Sequence, residues 1–164
     1  MKRVALVLTG LALSVNLMAA EIKIGALVSG QVSSIEVKVG QQVRAGQKIM
    51  TIDDRRYQAK LALLEAEVAY RQAALADAKI EFEQVEDLYD RTVIARRPFE
   101  RAKVDLALAQ QALAKAQAEL AMHQAWEDYV YIKAPQAGRI KSLAVNQGTT
   151  VFNENQLLFI LETP

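Results

Sequence analysis

Few side chains in this chain could do chemistry, and their spacing matches no catalytic motif. The 164 residues include no cysteine and one histidine, His123, which excludes disulfides, thiolate zinc sites and a multi-histidine metal site within one chain. His123 follows Met122, a pair that could bind a soft metal, but a histidine on a coiled-coil seam explains it better. Glu65 and Glu67 fall on a predicted helix face without a pocket, and no Ser/His/Asp motif occurs. We expect no enzyme activity, no metal site and no cofactor.

The charge and the start of the chain indicate an exported protein. Lys and Arg number 20 against 19 for Asp and Glu, without long runs of one sign, so nucleic acid is not an expected partner. Residues 1–20 are typical of a secretory signal, with basic Lys2 and Arg3, an apolar stretch over 4–18, and small residues before Glu21. As a helix that stretch measures about 22 Å, less than the ~30 Å hydrocarbon core. We expect cleavage and a periplasmic location in a Gram-negative bacterium, with a retained inner-membrane anchor as the alternative.

Two stretches that alternate with period 2, residues 21–53 and 131–164, predict short strands separated by glycines. A shift of 108 positions superimposes the first on the second. Gly30 then meets Gly138, Gly40 meets Gly148, and the apolar matches are Val32–Ile140, Ile35–Leu143, Val37–Val145, Val43–Val151, Ile49–Leu157 and Ile52–Ile160. Each half has too few strands to bury a face, so we expect them to close through a pseudo-twofold into a flattened barrel or sandwich. The four matched glycines are predicted to lie in turns.

Residues 54–130 change to a period of 3.5, which predicts two antiparallel helices forming a coiled-coil hairpin. The predicted seam positions are Leu61, Leu64, Val68, Leu75, Ala78, Phe82, Val85 and Tyr89, then Phe99, Ala102, Leu106, Ala109, Leu113, Ala116, Leu120 and His123. Pro98 suits a first helical turn, which places the second helix start near Arg97 and the connecting turn at 92–96. Asp53 or Asp54 is the expected N-cap of the first helix.

The hairpin must expose alanine-rich outer faces, because no third element covers them. A second copy of the chain or a partner helix would bury those faces. The exposed alanine-rich surface therefore indicates a role in assembly rather than in catalysis. At the end of the second helix, Trp126, Tyr129 and Tyr131 are expected to pack where the hairpin meets the β-domain.

The shared pattern G-x-[VI]-x-x-[IL]-x-V-x-x-G-x-x-V resembles the two half motifs of the biotinyl/lipoyl domain. The resulting fold class is α+β: a lipoyl-like sandwich or flattened barrel of two half motifs, interrupted by the helical hairpin. Cofactor-carrying members hold a lysine on the turn joining the halves, where this chain has its helices instead. Lys48 and Lys133 are predicted to lie in strands, so we expect neither to be modified; a cofactor carrier stays an alternative.

The order of motifs extends the resemblance. A signal, a half motif, Ile-Asp-Asp-x-x-Tyr, a helical hairpin, Ala-Pro-x-x-Gly-x-Ile and a second half motif resemble the periplasmic adaptor family (membrane fusion proteins, HlyD-type) of tripartite efflux pumps and type I secretion systems. The resemblance implies a homo- or hetero-oligomeric, non-enzymatic adaptor that bridges an inner-membrane transporter and an outer-membrane channel or partner adaptor. Members normally continue into a β-barrel and a membrane-proximal domain. Because this sequence stops at Pro164, we expect a short form that lacks them.

The resemblance also indicates a docking surface at the hairpin tip. Channel-docking members carry arginine, leucine and serine there, and the corresponding residues here are Gln84, Leu88 and Ala95, so the leucine is kept. With the neighbouring Arg96 and Arg97 they form the predicted docking surface. The alternative function is a periplasmic scaffold that binds a metal ion or a small molecule on the lipoyl-like fold.

Overall fold

The computed structural model describes residues 20–152 and 154–163, so the predicted signal lies outside them except for Ala20. The elements in chain order are β1 Ala20–Gly25, β2 Gly30–Ile35, β3 Gln42–Val43, β4 Lys48–Ile52, α1 Arg55–Asp90, α2 Arg96–Gln124, α3 Glu127–Val130, β5 Tyr131–Lys133, β6 Gly138–Leu143, β7 Thr150–Val151 and β8 Leu157–Thr163. Within the described ranges, no helix combines the length and apolar character needed to cross a membrane.

The strands form two antiparallel four-stranded sheets, with orders β1-β8-β6-β3 and β5-β4-β2-β7. Exchanging each strand for its counterpart in the repeat, β1 for β5, β8 for β4, β6 for β2 and β3 for β7, converts the first order into the second. Each sheet therefore contains two strands from each half of the repeat. The predicted α+β fold with a pseudo-twofold, two-sheet β-domain is confirmed.

The register of the sheets corrects the last two matches of the repeat. Up to β7 the shift of 108 holds. Gly40 and its counterpart Gly148 have nearly the same φ, +86° and +87°. The Gly40 amide donates to the carbonyl of Ile140, and the Gly148 amide donates to that of Val32, the counterpart of Ile140. In β8 the shift becomes 109.

The pairing partners show this directly, since Ile52 pairs with Val32 and Leu161 with Ile140. Ile49 and Ile52 thus correspond to Leu158 and Leu161, not to Leu157 and Ile160 as predicted. The segment 152–156 is one residue longer than its counterpart 44–47.

The core lies between the two sheets and draws on both halves. Its fully buried large side chains are Val32, Ile49, Met50, Ile52, Ile140, Val151, Leu158, Phe159 and Leu161. A shared core of this kind means that neither half can bury its apolar face alone.

Gly30 and Gly138, which we predicted to lie in turns, instead begin β2 and β6. A Cβ on Gly30 would lie 2.9 Å from Ile52 Cγ2, and a Cβ on Gly138 would overlap the backbone oxygen of Glu162. These glycines are needed for close approach of neighbouring strands rather than for a turn.

The hairpin follows the predicted seam. Every predicted seam residue is buried or half-buried, with Leu64, Ala102, Leu113 and Ala116 the most enclosed. The second alanine stripe, at 59, 62, 66, 69, 73 and 76, is exposed. Pro98 lies in the first turn of α2, and the connecting turn spans 91–95, one residue earlier than predicted.

Candidate docking surface at the tip of the helical hairpin

The first half of the tip is a helix end closed by a Schellman motif. The amide of Val93 donates to Leu88 O, and the amide of Thr92 donates to Tyr89 O, each at 2.9 Å. Thr92 has φ of +59°, the left-handed conformation that glycine adopts in most such motifs. A β-branched residue there is strained, so the tip stores free energy in its backbone.

The second half of the tip places positive charge at the positive end of a helix dipole. Ala95 precedes α2 in an extended conformation and offers no side-chain cap, and Arg96 and Arg97 are the first two helical residues. Cations at a helix N-terminus are disfavoured. Arg96 Nε is paired with the Glu100 carboxylate at 3.2 Å, whereas Arg97 has no ion-pair partner among the described residues. Carboxylates on a docked partner would relieve this repulsion.

Three aromatic rings pack against one another between the two helices just below the tip. The Tyr89 and Phe99 rings stack with centroids 4.6 Å apart and 9° between planes, and Phe82 lies 5.9 Å from Phe99. These rings pack the end of α1 against the start of α2 directly below the tip.

All five predicted tip residues are exposed. Gln84 and Leu88 lie one turn apart on the same face of α1, while Ala95, Arg96 and Arg97 lie across the turn at the start of α2. Val93, 64% exposed at the apex, was missed by the sequence reasoning. Its position just after a helix end was the available signal. The tip therefore combines an apolar apex with two arginines.

The base of the hairpin is fixed by a polar cluster around Tyr131. The Tyr131 hydroxyl donates to Asp54 Oδ2 at 3.0 Å and accepts from Gln58 Nε2, and Lys48 Nζ lies 5.5 Å from the ring centroid. Asp54 occupies the predicted N-cap position, but its side chain makes no cap bond because the carboxylate binds Tyr131 instead. Burial raises the pKa of Tyr131.

His123 lies on the seam at the same end of the hairpin. Its ring stacks on Tyr57 at 4.7 Å, and its Nε2 lies 3.0 Å from Tyr57 O. Tyr57 is 6% exposed, and burial raises the pKa of its hydroxyl. The interpretation of His123 as a seam residue agrees with this packing. Within the described ranges, no group of three His, Cys, Asp or Glu residues is placed to hold a metal ion.

Of the other aromatics at this end, Tyr131 and Trp126 lie where the hairpin meets the β-domain, as expected, although Trp126 is only partly covered. Tyr131 packs edge-on against Tyr57 at the junction. Trp126 and Tyr129 pack mainly on each other, and remain 51% and 38% exposed. The cause is the short helix α3, of which only Val130 is buried.

Both candidate lysines lie in strands, as predicted, and both are engaged. Lys48 pairs with Glu36 at 2.5 Å. Lys133 Nζ donates to Asp128 Oδ1 at 2.9 Å and to Glu127 Oε1 at 3.2 Å, and these bonds, the one to Asp128 first, raise the pKa of Lys133. Neither lysine is presented on an exposed turn, where a swinging cofactor arm needs it.

Comparisons with known proteins agree with this architecture. The family model described as RND MFP, barrel-sandwich hybrid domain, matches residues 20–163. Multidrug resistance protein MdtA of Pectobacterium atrosepticum is 29% identical over 138 residues, which cover 83% of this chain and 34% of the relative. Macrolide export protein MacA of Yersinia pestis is 28% identical over 155 residues, covering 86% of this chain and 42% of the relative. The chain thus spans less than half the length of these curated relatives.

Among solved structures, MacA from Actinobacillus actinomycetemcomitans aligns with a TM-score of 0.67 at 24% identity, covering 88% of this chain and 51% of that one. This similarity shows a common fold. Since the family model covers nearly the whole chain, and the two sheets and the hairpin are those of its solved relatives, the protein belongs to the RND membrane fusion protein (MFP) family and carries its barrel-sandwich hybrid domain.

Proposed function

We propose that this protein is a periplasmic adaptor subunit of an efflux or secretion assembly, and that it acts by bridging rather than by catalysis. The observation that carries the proposal is the hairpin. Its first helix has 36 residues, about 54 Å at ~1.5 Å per residue, and its base is fixed to a β-domain built from both halves of the chain. The names of the relatives, multidrug resistance and macrolide export, support a role in export.

The proposed division of labour follows the two parts of the chain. The β-domain, residues 21–53 and 131–164, faces the inner-membrane transporter, and the hairpin, residues 54–130, extends towards an outer-membrane channel or a partner adaptor. Residues 1–20 act as the export signal. This arrangement requires only binding surfaces, and it assigns no role to a cofactor.

The proposed docking surface consists of Gln84, Leu88, Ala95, Arg96 and Arg97. Its chemistry suits a partner with an apolar recess bordered by carboxylates, because two exposed arginines at the start of α2 lie across the turn from the exposed apolar side chain of Leu88. Arginine forms bidentate bonds with carboxylates, which would add orientation to the contact.

Exposed apolar residues along the hairpin support an oligomer. Leu63, Tyr70 and Ile80 on α1 are 55–63% exposed, and Val104, Leu108 and Met122 on α2 are 51–67% exposed. Apolar residues at this density on both outer faces favour contact with the hairpins of neighbouring subunits.

Site-specific photocrosslinking in cells tests the docking surface. A photoreactive residue at Val93, the exposed apex, is expected to capture an outer-membrane channel protein. The same residue at Ala73, exposed halfway along α1, is expected to capture another copy of this chain. Capture of the same mixture of periplasmic proteins from both positions would contradict the proposal.

Charge removal at the tip gives the functional test. Deleting the gene should raise the accumulation of exported dyes, and Arg96→Gln with Arg97→Gln should restore export less well than the wild-type chain. The matched control is Lys103→Gln with Lys115→Gln, two exposed lysines on the shaft of α2. Equal restoration by both double variants would remove the two arginines from the docking surface.

A further inference from the structure

A cavity of about 440 Å³ lies where the hairpin base meets the β-domain. Ile52 and Val130, both nearly buried, and the half-buried Val28 form its apolar floor. Its volume falls in the range of small-molecule sites, about 300–1,000 Å³. The adaptor role described above uses the tip and the outer faces of the hairpin, so this cavity has no part in it.

One wall of the cavity is aromatic. Tyr57, His123 and Trp126 line it, with the first two rings stacked on each other. The Trp126 indole packs edge-on against Tyr129, yet it stays 51% exposed. A wall of rings with an accessible indole favours a planar ligand that can stack.

The rim of the cavity carries two positive charges. Arg56 and Lys60 lie four residues apart, on one face of α1, and neither has an ion-pair partner among the residues that the structure describes. The one acidic residue of the lining is Asp53, and its carboxylate is already held by Arg55 Nε at 2.9 Å. The two rim cations are therefore free to bind an anion.

We propose that this cavity binds a small planar aromatic anion, a carboxylate or sulfonate whose ring lies against the exposed indole of Trp126 while Arg56 and Lys60 hold the acidic group. The ligand would touch the β-domain through Val28 and Ile52 and the hairpin through the aromatic wall. Its binding would therefore stabilise the angle between the two parts of the protein.

Trp126, the only tryptophan in the chain, provides a direct readout. The test uses anilinonaphthalene sulfonate and its uncharged analogue phenylnaphthylamine, with energy transfer from Trp126 to the dye as the signal. The sulfonate should bind with efficient transfer and about tenfold more tightly than the neutral dye, since one charge-assisted contact contributes about 1.4 kcal/mol.

The double variant Arg56→Gln, Lys60→Gln should weaken sulfonate binding by about tenfold or more and leave the neutral dye unaffected. Lys38→Gln with Lys103→Gln is the matched control, because it removes two exposed positive charges elsewhere and should bind like the wild type. All four residues are exposed, so folding is expected to persist, and circular dichroism would verify it. Equal affinity for both dyes, equal loss in both double variants, or sulfonate binding without energy transfer would overturn the proposal.

Discussion

Replacing Thr92 by glycine should stabilise the hairpin. A left-handed conformation costs an L-residue about 1–2 kcal/mol, and Thr92 has φ of +59° at the end of α1. Glycine removes this strain but loses about 0.5–1 kcal/mol through the greater freedom of the unfolded chain. The difference between these two ranges is about 0–1.5 kcal/mol, so the gain expected for Thr92→Gly in the free energy of unfolding is centred on about 0.7 kcal/mol. Both Schellman hydrogen bonds are retained, because they are made by backbone atoms.

Urea unfolding followed by the helical circular dichroism signal measures this gain as a higher midpoint at unchanged slope. Two controls separate its causes. Thr92→Ala keeps a Cβ in the strained conformation and should change stability by less than about 0.5 kcal/mol. Thr150→Gly makes the same substitution in strand β7, where no strain is relieved, and should destabilise by about 0.5–1 kcal/mol. If Thr92→Gly lowered the midpoint as Thr150→Gly does, the strain at the tip would be refuted.

Three further predictions concern the β-domain, the junction and the seam. Gly138→Ala should lower the free energy of unfolding by about 2 kcal/mol or more, because its Cβ would overlap a backbone carbonyl oxygen. Gly30→Ala should lower it by less, because its Cβ would meet a side-chain methyl group at a longer distance; thermal unfolding compares the two variants. Burial raises the pKa of Tyr131 above 10.0, so the folded state holds this proton more tightly; its stabilising effect is complete below pH 10.0 and is lost as pH rises through the folded pKa. Urea midpoints between pH about 8 and about 11 should therefore fall, less steeply in Tyr131→Phe. Leu113→Ala, on the buried seam, should cost about 2 kcal/mol or more, and Leu108→Ala, 60% exposed, less than about 0.5 kcal/mol by the same assay.

The periodic parts of the fold could be predicted from the sequence, because periodicity reports which face of an element is buried. The seam residues of the hairpin are an example, since their spacing identifies one face of each helix. Strand β8 shows the limit. Residues 157–161 are all apolar, so alternation does not show whether Leu157 or Leu158 faces the core. The extra residue in the preceding segment therefore shifts the register without any signal in the sequence pattern.

The junction could not be predicted, because its contacts join residues far apart in the sequence. The local pattern alone made Asp54 an expected helix cap. Its carboxylate instead accepts a hydrogen bond from the hydroxyl of Tyr131, which is 77 residues away in the sequence. The half-exposed position of Trp126 depends likewise on how α3 leaves α2. At the tip, the exposure of the five predicted residues followed from the hairpin, whereas the strain at Thr92 required backbone angles.

The exchange of strands between the two halves has a consequence for the order of folding. Ala20 in the first strand pairs with Thr163 in the last described strand, and β4 pairs with β5, so each sheet joins segments that lie on opposite sides of the hairpin in the sequence. The 78 residues between β4 and β5 would make a costly flexible loop. The two helices contact mainly each other, a local pairing that forms quickly. When the helices are paired, β4 and β5 lie side by side, and the entropic cost of closing the loop between them falls by about 2 kcal/mol. The hairpin therefore serves its own β-domain as an intramolecular folding template.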